Sequence, residues 1–329
     1  MIEELKFELK QLQPNTSESD FLALAKRVFE FQKSHNPIYR SYLEHIGFGH
    51  QEIEKLSDFP FLPISFFKTQ RVSVFPANQA PELIFRSSGT TKASTSEHLI
   101  YDKSIYEWSF EAGFELFFPH HRNTVIIAVL PSYVERSDSS LVYMVQGLLS
   151  HNQRKESGFF SLQDPQLIPL LEDPALPKIL IGVSFALIDL ASRKIKGKNL
   201  KVIETGGMKG KRKELIRSEL HEILKKGLKV DEIHSEYGMT ELLSQAYFVN
   251  DQFAPAPSLK ILSRDLTDPL TTRRTGRGGL NAIDLSNLES CSFVATEDQG
   301  QVNEDGTFTV DGRIDHAQIR GCNLLYSPT

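Results

Sequence analysis

Apolar side chains recur at helical spacing near the start of the chain. Phe21, Leu24, Ala25 and Val28 would share one face of a helix, and residues 17–20 offer hydroxyl and carboxylate groups for its N-cap. Prolines between residues 60 and 81 then interrupt the pattern, which predicts short loops and strands there. One short strand is predicted at residues 84–86, immediately before the polar sequence S-S-G-T-T-K.

Between about residues 123 and 241, short apolar runs alternate with longer amphipathic segments. Continuous apolar runs are typical of strands that a parallel sheet buries on both faces, and the amphipathic segments are typical of helices that cover such a sheet. This alternation predicts an α/β fold with parallel strands. The predicted strands lie at residues 124–130, 178–183, 201–204 and 230–234, and the predicted helices lie at residues 184–194 and 209–226.

The pattern changes near residue 251. Gly, Asp and Thr become frequent, apolar positions alternate over short stretches, and Asp305-Gly306 precedes one such stretch as a hairpin turn would. We therefore expect an α/β core with a helical N-terminal segment over residues 1–250. A smaller β-rich subdomain that ends in a mobile tail is expected over residues 251–329.

Charge and composition exclude several classes of protein. The 329 residues contain 37 Lys and Arg against 42 Asp and Glu, so the net charge is −5. A pI near 6.1 gives no general attraction to nucleic acid. Two cysteines, Cys291 and Cys322, cannot form a zinc cluster or a disulfide framework. The sequence has no apolar segment long enough for a membrane span and no signal core at its start, so we expect a cytoplasmic protein.

Two glycine-containing segments follow predicted strands. S-S-G-T-T-K at residues 87–92 has small side chains and hydroxyls that suit a phosphate loop, although a polar surface loop has the same composition. T-G-G at residues 205–207 suits either a ligand at the carboxyl end of a parallel strand or a tight strand-to-helix turn. Neither segment contains the Walker or the dinucleotide-binding glycine pattern.

Two further regions carry carboxylates. E-Y-G-M-T-E at residues 236–241 has a hydroxyl and a carboxylate that can hold a phosphate and Mg²⁺, and a tyrosine that can stack on a base. A helix N-cap at Thr240 is the simpler interpretation of this segment. E-D-Q-G at residues 297–300 and G-R-I-D at residues 312–315 offer a carboxylate for a ribose diol and an arginine, or two polar hairpin turns.

Two other patterns favour structural interpretations. Ser65 and Lys68 form an S-x-x-K sequence, as in penicillin-binding enzymes, but the accompanying S-D-N and K-T-G sequences are missing. Phe110, Phe114, Phe117 and Phe118 cluster at helical spacing, which predicts a core cluster more strongly than an acyl tunnel.

The order of the motifs is more specific than any one of them. S-S-G-T-T-K, T-G-G, E-Y-G-M-T-E, E-D-x-G and G-R-x-D resemble, over roughly residues 60–325, the ordered motifs of the adenylate-forming superfamily of acyl ligases. Those enzymes activate a carboxylate with ATP and release pyrophosphate. The resemblance implies the α/β fold of that superfamily, ATP and Mg²⁺ as cofactors, and a small-molecule carboxylic acid as substrate.

The resemblance also implies roles for individual residues. Thr240 would contact the α-phosphate, and Glu241 would hold Mg²⁺. Tyr237, beside Gly238, would stack on adenine, and Asp298 would bind the ribose hydroxyls with help from Arg313. The residues implied to surround the phosphates or to let the backbone approach the nucleotide are Ser87, Ser88, Gly89, Thr90, Thr91, Lys92, Gly206 and Gly207.

Within the superfamily, the chain resembles the acyl-protein synthetase (LuxE) family. P-I-S-F-F-K at residues 63–68 is similar to the P-x-S-x-F-K segment of that family, which accounts for Ser65 and Lys68. I-R-G-C-N-L at residues 319–324 is similar to the C-terminal segment that holds the acyl-accepting cysteine. The resemblance therefore implies that Cys322 accepts the acyl group, that the acid is a fatty acid, and that an acyl-accepting or reductase protein is a partner.

Two departures separate the chain from most members of the superfamily. It ends soon after G-R-x-D, without the C-terminal lid that carries a catalytic lysine, and the lysine usually found deeper in the phosphate loop is missing. The short form favours an acyl-protein synthetase over a complete CoA ligase. The alternatives are a truncated CoA ligase and a non-catalytic nucleotide- or acyl-binding partner of a multi-enzyme complex.

Overall fold

The computed structural model describes residues 1–49, 51–87, 95–130, 136–206 and 215–314. None of the helices in these ranges has both the length and the apolar character that a membrane crossing requires. The α-helices in these ranges are α1 (Ile2–Leu9), α2 (Glu18–His35), α3 (Pro37–His45), α4 (Phe66–Thr69), α5 (Lys103–Phe117), α6 (Ser140–Ser150), α7 (Leu167–Glu172), α8 (Ser184–Ala191) and α9 (Arg217–Leu228). The β-strands in the same ranges are β1 (Leu62–Pro63), β2 (Leu83–Arg86), β3 (Glu97–Ile100), β4 (Val125–Val129), β5 (Gly158–Phe159), β6 (Lys178–Val183), β7 (Leu200–Thr205), β8 (Ile233–Tyr237), β9 (Ala246–Val249), β10 (Gln252–Pro255), β11 (Leu259–Arg264), β12 (Thr272–Arg273), β13 (Gly276–Asp284), β14 (Phe293–Val302) and β15 (Gly312–Arg313).

Seven strands form a mostly parallel sheet in the order β10-β9-β8-β7-β6-β4-β5. Strands β4 to β8 are parallel to their neighbours, and β9 and β10 continue the sheet in the antiparallel sense. Every residue of β4 and β6 is buried, as their continuous apolar runs predict. The predicted α/β fold with parallel strands and helices is confirmed.

A second sheet has the order β1-β14-β13-β11-β12, with β15 paired to β14. The N-terminal helices pack against it in one hydrophobic cluster, in which the rings of Phe29 and Phe293 lie 5.8 Å apart. Strand β1 pairs in parallel with β14, so residues from both ends of the chain build this sheet. The division of the chain at residue 250 stays a prediction.

Two local predictions are confirmed. The hydroxyl of Ser17 accepts the backbone N–H of Asp20 at 3.1 Å, so Ser17 is the N-cap of α2. At the predicted hairpin, Gly306 has φ +83°, and the carbonyl of Thr307 accepts the N–H of Asn303 at 2.9 Å. A positive φ is the backbone conformation that glycine adopts without strain.

Three predicted boundaries are wrong. The strand predicted at residues 230–234 begins at Ile233 and continues to Tyr237, because Lys229 ends α9 in a left-handed conformation (φ +54°) and residues 230–232 form the connection. Helix α8 ends at Ala191, and the chain turns at Lys194 with φ +57°. Helix α9 begins at Arg217, later than predicted, and residues 207–214 lie outside the described residues.

The phenylalanines of α5 belong to the core. Phe110, Phe114 and Phe118 are at most 1% exposed, and the rings of Phe114 and Phe118 lie 5.9 Å and 5.3 Å from that of Tyr247. Phe117 is only partly buried but packs against the same hydrophobic cluster, so the interpretation of these four side chains as a core cluster is confirmed.

Candidate functional site

A cavity of about 540 Å³ opens where β7 and β8 end. These strands are parallel and place Thr205 beside Glu236, at the edge where open α/β sheets bind ligands. Both sheets contribute to its lining. The polar residues and glycines of the lining include Lys68, Arg86, Ser87, Ser96, Arg136, Thr205, Gly206, Glu236, Gly238, Thr240, Glu241, Gln245, Glu297, Asp298 and Arg313.

Buried polar side chains hold the β8–β9 loop, residues 238–245. The carboxylate of Asp284 accepts the backbone N–H of Leu243 at 2.8 Å and that of Ser244 at 2.9 Å. The amide nitrogen of Asn287 donates to the carbonyl of Glu241 at 2.7 Å. Because each bond is to backbone, this network determines where the loop presents its side chains to the cavity.

His98 is a further anchor of the same loop. Its Nδ1 lies 2.8 Å from the carbonyl of Thr240, and its Nε2 lies 2.8 Å from the hydroxyl of Ser290. A carbonyl only accepts, so Nδ1 carries the proton and Nε2 accepts from Ser290 in the neutral ring. Burial lowers the pKa of His98 to about 4, so the ring is neutral at physiological pH.

Glu241 combines burial with access to the cavity. It is 6% exposed, and burial raises its pKa, although Ser96 and the positive charges of Lys68 and Arg313 act in the opposite direction. Ser96 also lines the cavity, next to Glu241. A hydroxyl beside a carboxylate suits a polar ligand that would bind both groups.

Asp298 is oriented by two neighbours. The hydroxyl of Tyr237 donates to its Oδ2 at 2.9 Å, and Nε of Arg313 lies 4.0 Å from its Oδ1. Strand β15 positions Arg313 directly opposite Asp298 in the sheet. Burial raises the pKa of Asp298, while the hydrogen bond from Tyr237 lowers it. The side chain keeps acceptor capacity on the cavity side, as the hydroxyls of a sugar would need.

Tyr237 lies behind Asp298. Its ring contacts those of Phe253 at 5.7 Å and Phe308 at 5.4 Å, and the residue is 9% exposed. In this arrangement Tyr237 supports the carboxylate rather than lining the cavity. Its stacking on adenine stays a prediction.

Of the predicted phosphate loop, only Ser87 belongs to the described residues. Its backbone N–H donates to the carbonyl of Ser96 at 3.1 Å, and its hydroxyl accepts the N–H of Ser96 at 2.8 Å. Both serines line the cavity. The predicted site residues outside the described ranges are Ser88, Gly89, Thr90, Thr91, Lys92, Gly207 and Cys322.

Steric constraints explain why glycine occupies the two described glycine positions of the site. Gly206, directly after β7, has φ +60°, which favours glycine. A Cβ on Gly238 would overlap Oε1 of Glu236, so glycine leaves room for that carboxyl group.

Several lining residues were not predicted as site residues. Lys68 was interpreted as structural, but it lines the cavity, with Nζ 3.8 Å from Oε1 of Glu297. Its P-x-S-x-F-K segment was the available signal. Arg136 donates through Nη2 to the carbonyl of Arg86 at 3.0 Å, and no motif marks either arginine. Glu236 and Gln245 also line the cavity, although the motifs imply no role for either side chain.

The lining fits ATP with Mg²⁺. Lys68, Arg86, Arg136 and Arg313 provide positive charge for phosphates. Mg²⁺ that binds phosphate oxygens needs only one or two protein carboxylates, and Glu241 supplies one. The described residues contain no group of three or more His, Cys, Asp or Glu side chains that would hold a metal by themselves.

The chain matches no protein-family model and no curated protein. Its structure is similar to a 2-hydroxyisobutyryl-CoA ligase solved in an open conformation with 2-HIB-AMP and CoA: the TM-score is 0.65 at 15% identity, over 91% of this chain and 70% of that chain. A long-chain-fatty-acid-CoA ligase from Archaeoglobus fulgidus matches with a TM-score of 0.54 at 14% identity, over 74% and 53% of the two chains. ATP-bound MatB from Rhodopseudomonas palustris matches with a TM-score of 0.51 at 16% identity, over 73% and 50%.

The chain thus spans 70% of the first of these proteins and about half of the other two. At identities of 14–16% the likeness establishes the fold and not the activity. The expected superfamily fold is confirmed: the chain has the mixed α/β fold of the adenylate-forming acyl and CoA ligases.

Proposed function

We propose that the protein activates a carboxylic acid with ATP, giving acyl-AMP and pyrophosphate, and then transfers the acyl group to a cysteine thiol. One observation carries the proposal. Thr240 and Glu241 from one motif, Asp298 from a second and Arg313 from a third line a single cavity at the carboxyl ends of parallel strands. The adenylate-forming fold supports the same reaction class.

The electrostatics of the lining suit this reaction. The oxygen of the substrate carboxylate attacks the α-phosphorus of ATP, and the bond to pyrophosphate breaks. Both reactants are anions, so the site must offset their repulsion and hold them in line. Lys68 and Arg136 bring positive charge to the cavity, and Thr240 provides a hydroxyl donor. When bound, Mg²⁺ would neutralise phosphate charge, with Glu241 as its protein ligand.

The ribose of the nucleotide is assigned to Asp298. The hydroxyl of Tyr237 holds the carboxylate of Asp298, which leaves Oδ1 to accept ribose hydroxyls beside Arg313. This arrangement supports the proposed role of Asp298 as the ribose ligand.

Pyrophosphate exchange tests the adenylation step. With labelled pyrophosphate and a panel of acids, we expect exchange that Glu241→Gln lowers by orders of magnitude while the circular dichroism spectrum is unchanged. Glu232→Gln is the matched control, because this carboxyl is 76% exposed and precedes β8, at the end of the strand that does not meet the cavity. Unchanged exchange in Glu241→Gln would remove Glu241 from the mechanism, and no exchange with any acid would favour a non-catalytic binder.

The transfer step is assigned to Cys322. Its thiolate would attack the acyl carbon of acyl-AMP, so that a thioester forms and AMP leaves. Cys291 is a poor candidate, because it is fully buried and burial raises its pKa to about 12. An acyl-accepting or reductase partner also belongs to this proposal, and a fatty acid is the substrate that the sequence resemblance implies.

Labelled acid and ATP distinguish the two cysteines. We expect the protein to acquire label that hydroxylamine removes, and Cys322→Ser to lose this label while it still forms acyl-AMP. Cys291→Ser should keep the label. Label that persists in Cys322→Ser would contradict the thioester assignment, and release of a CoA thioester would favour a CoA ligase.

A further inference from the structure

We infer that the acid substrate carries hydrogen-bond donors on its tail, as a hydroxy acid or an amino acid does, and that Glu236 and Gln245 recognise those donors. The inference rests on the proposed function, because it names the substrate class of the same cavity. It would replace the unsubstituted fatty acid that the sequence resemblance implies.

We divide the lining of the cavity into two groups. One group contains Glu241, Asp298 and their neighbours, which are assigned to the nucleotide. The other group, which we call the acid pocket, is built by α5, α6, β7, β8 and the end of the β8–β9 loop. It consists of Tyr106, Ser140, Met144, Thr205, Glu236 and Gln245.

Three donors of the acid pocket are already used within the protein. The hydroxyl of Thr205 donates to Oε2 of Glu236. The hydroxyl of Tyr106 donates to the carbonyl of Ser140 at 3.0 Å. The amide nitrogen of Gln245 donates to the carbonyl of Leu243 at 3.2 Å, which also fixes the orientation of the amide group.

In the described part of the chain, one acceptor of the acid pocket has no donor, and a second has one carboxyl oxygen without a hydrogen bond from a side chain. Gln245 is 3% exposed, and its Oε1 has no hydrogen-bond partner in the part of the chain that the structure describes. Within the same residues, the side-chain hydrogen bond of Glu236 comes from Thr205 and reaches Oε2. A buried acceptor without a donor is destabilising, and a ligand with donors would remove that penalty.

An alkyl chain would not serve these acceptors. It would remove water from the carboxyl of Glu236 and leave the amide oxygen of Gln245 unpaired. Sites built to hydrogen-bond a substrate discriminate strongly against analogues that lack the group. The acid pocket is therefore better matched to a polar tail than to a fatty acid.

The protonation state of Glu236 should affect an ammonium donor and a hydroxyl donor differently. Burial raises its pKa to about 7, and the nearby charge of Glu204 acts in the same direction, against the hydrogen bond from Thr205. The phenols of Tyr106 and Tyr247 face the same carboxyl group. An ammonium group binds the ionised form, so its affinity should rise with pH, whereas a hydroxyl can donate to either form.

Calorimetry on the full chain tests the inference without any turnover. The probes are short acids of matched chain length that carry hydrogen, hydroxyl or ammonium at each carbon in turn, titrated at about pH 6 and about pH 8. We expect at least one donor-bearing acid to bind about tenfold more tightly than its alkyl counterpart. Gln245→Leu, which is similar in volume, should reduce that preference to less than about threefold. Gln245→Met serves as a second variant if the first does not fold.

The same titrations distinguish the two donors. If the preferred acid is an amine, its affinity should rise with pH, and Glu236→Gln should abolish the rise while Glu232→Gln keeps it. If it is a hydroxy acid, affinity should change little with pH. Equal or tighter binding of the alkyl acids, or no binding of any acid, would overturn the inference. ATP binding, measured separately, would fail only if the proposed adenylation is wrong.

Discussion

The parallel sheet and the β8–β9 loop meet at one cavity, but different forces hold them. Strands β4 and β6 are apolar at almost every position, and residues such as Leu180 are fully buried. Their stabilisation comes from apolar area removed from water, which has no preferred direction. The loop is held instead by hydrogen bonds with Asp284, which accepts, and with Asn287 and His98, which donate; these bonds fix both distance and angle.

This difference shows which interactions position the side chains of the site. The sheet provides stability, and the polar network determines the position of Thr240 and Glu241. The network also reaches the N-terminal helices, because the amide of Gln32 in α2 donates to the carbonyl of Asn287 at 2.9 Å. Helices that precede every motif therefore help to hold the site.

One variant in the sheet and one in the polar network should separate the roles of the two regions most clearly. Leu180→Ala and Asp284→Ala should each lower the free energy of unfolding by several kcal/mol: about 2–5 kcal/mol for the cavity in the sheet, and about 3 kcal/mol or more for the unpaired N–H groups in the loop. Only Asp284→Ala should also lower the pyrophosphate exchange rate of the folded protein, by about a hundredfold, because a small displacement misplaces Glu241.

Urea unfolding and exchange assays at low temperature measure the two effects. Asp284→Asn is the milder variant, since it keeps one acceptor oxygen. Equal losses of exchange in the Leu180 and Asp284 variants would show that the network has no positioning role beyond stability.

The pH dependence of stability sharpens the comparison at His98. The pKa of His98 is about 4 in the folded protein, against 6.5 as the ordinary value. The neutral ring therefore contributes its full stabilisation of the fold above pH 6.5, and this stabilisation is lost as pH falls towards 4. The complete loss amounts to about 3 kcal/mol. Between pH 7 and pH 5, the native protein should lose stability more steeply than His98→Gln. The exposed His45→Gln should behave as the native protein does, and parallel curves for native protein and His98→Gln would contradict this assignment.

The smallest expected effect concerns the ribose. Asp298→Ala removes charge-assisted hydrogen bonds worth about 1.5–3 kcal/mol each, so ATP affinity should fall by at least about tenfold. Tyr237→Phe keeps the carboxylate and should weaken ATP binding less. Calorimetry with ATP and 2′,3′-dideoxy-ATP checks both variants. Native protein that binds the two nucleotides equally would exclude Asp298 as a ribose ligand.

Much of the fold could be predicted because the burial of a strand or helix face produces a local pattern of apolar residues in the sequence. Continuous apolar runs predicted β4 and β6, and helical spacing predicted α2 with Ser17 as its cap. The ordered motifs predicted the superfamily fold, which the similarity to the solved ligases confirms. The strand at residues 230–234 was misplaced because Ser235 and Glu236 are polar, and periodicity did not reveal that β8 continues through them.

The α/β class, the order of the motifs and the residue types available for chemistry could be inferred from the amino-acid sequence. Which of these residues contact each other is visible only in the folded chain. His98 contacts Ser290 across 192 positions of sequence, and Asn287 reaches the carbonyl of Glu241 across 46. A local pattern records whether a side chain is buried but not which distant group it contacts. For that reason the anchors of the β8–β9 loop, the cavity position of Lys68 and the unpaired acceptor of Gln245 emerged only from the folded chain.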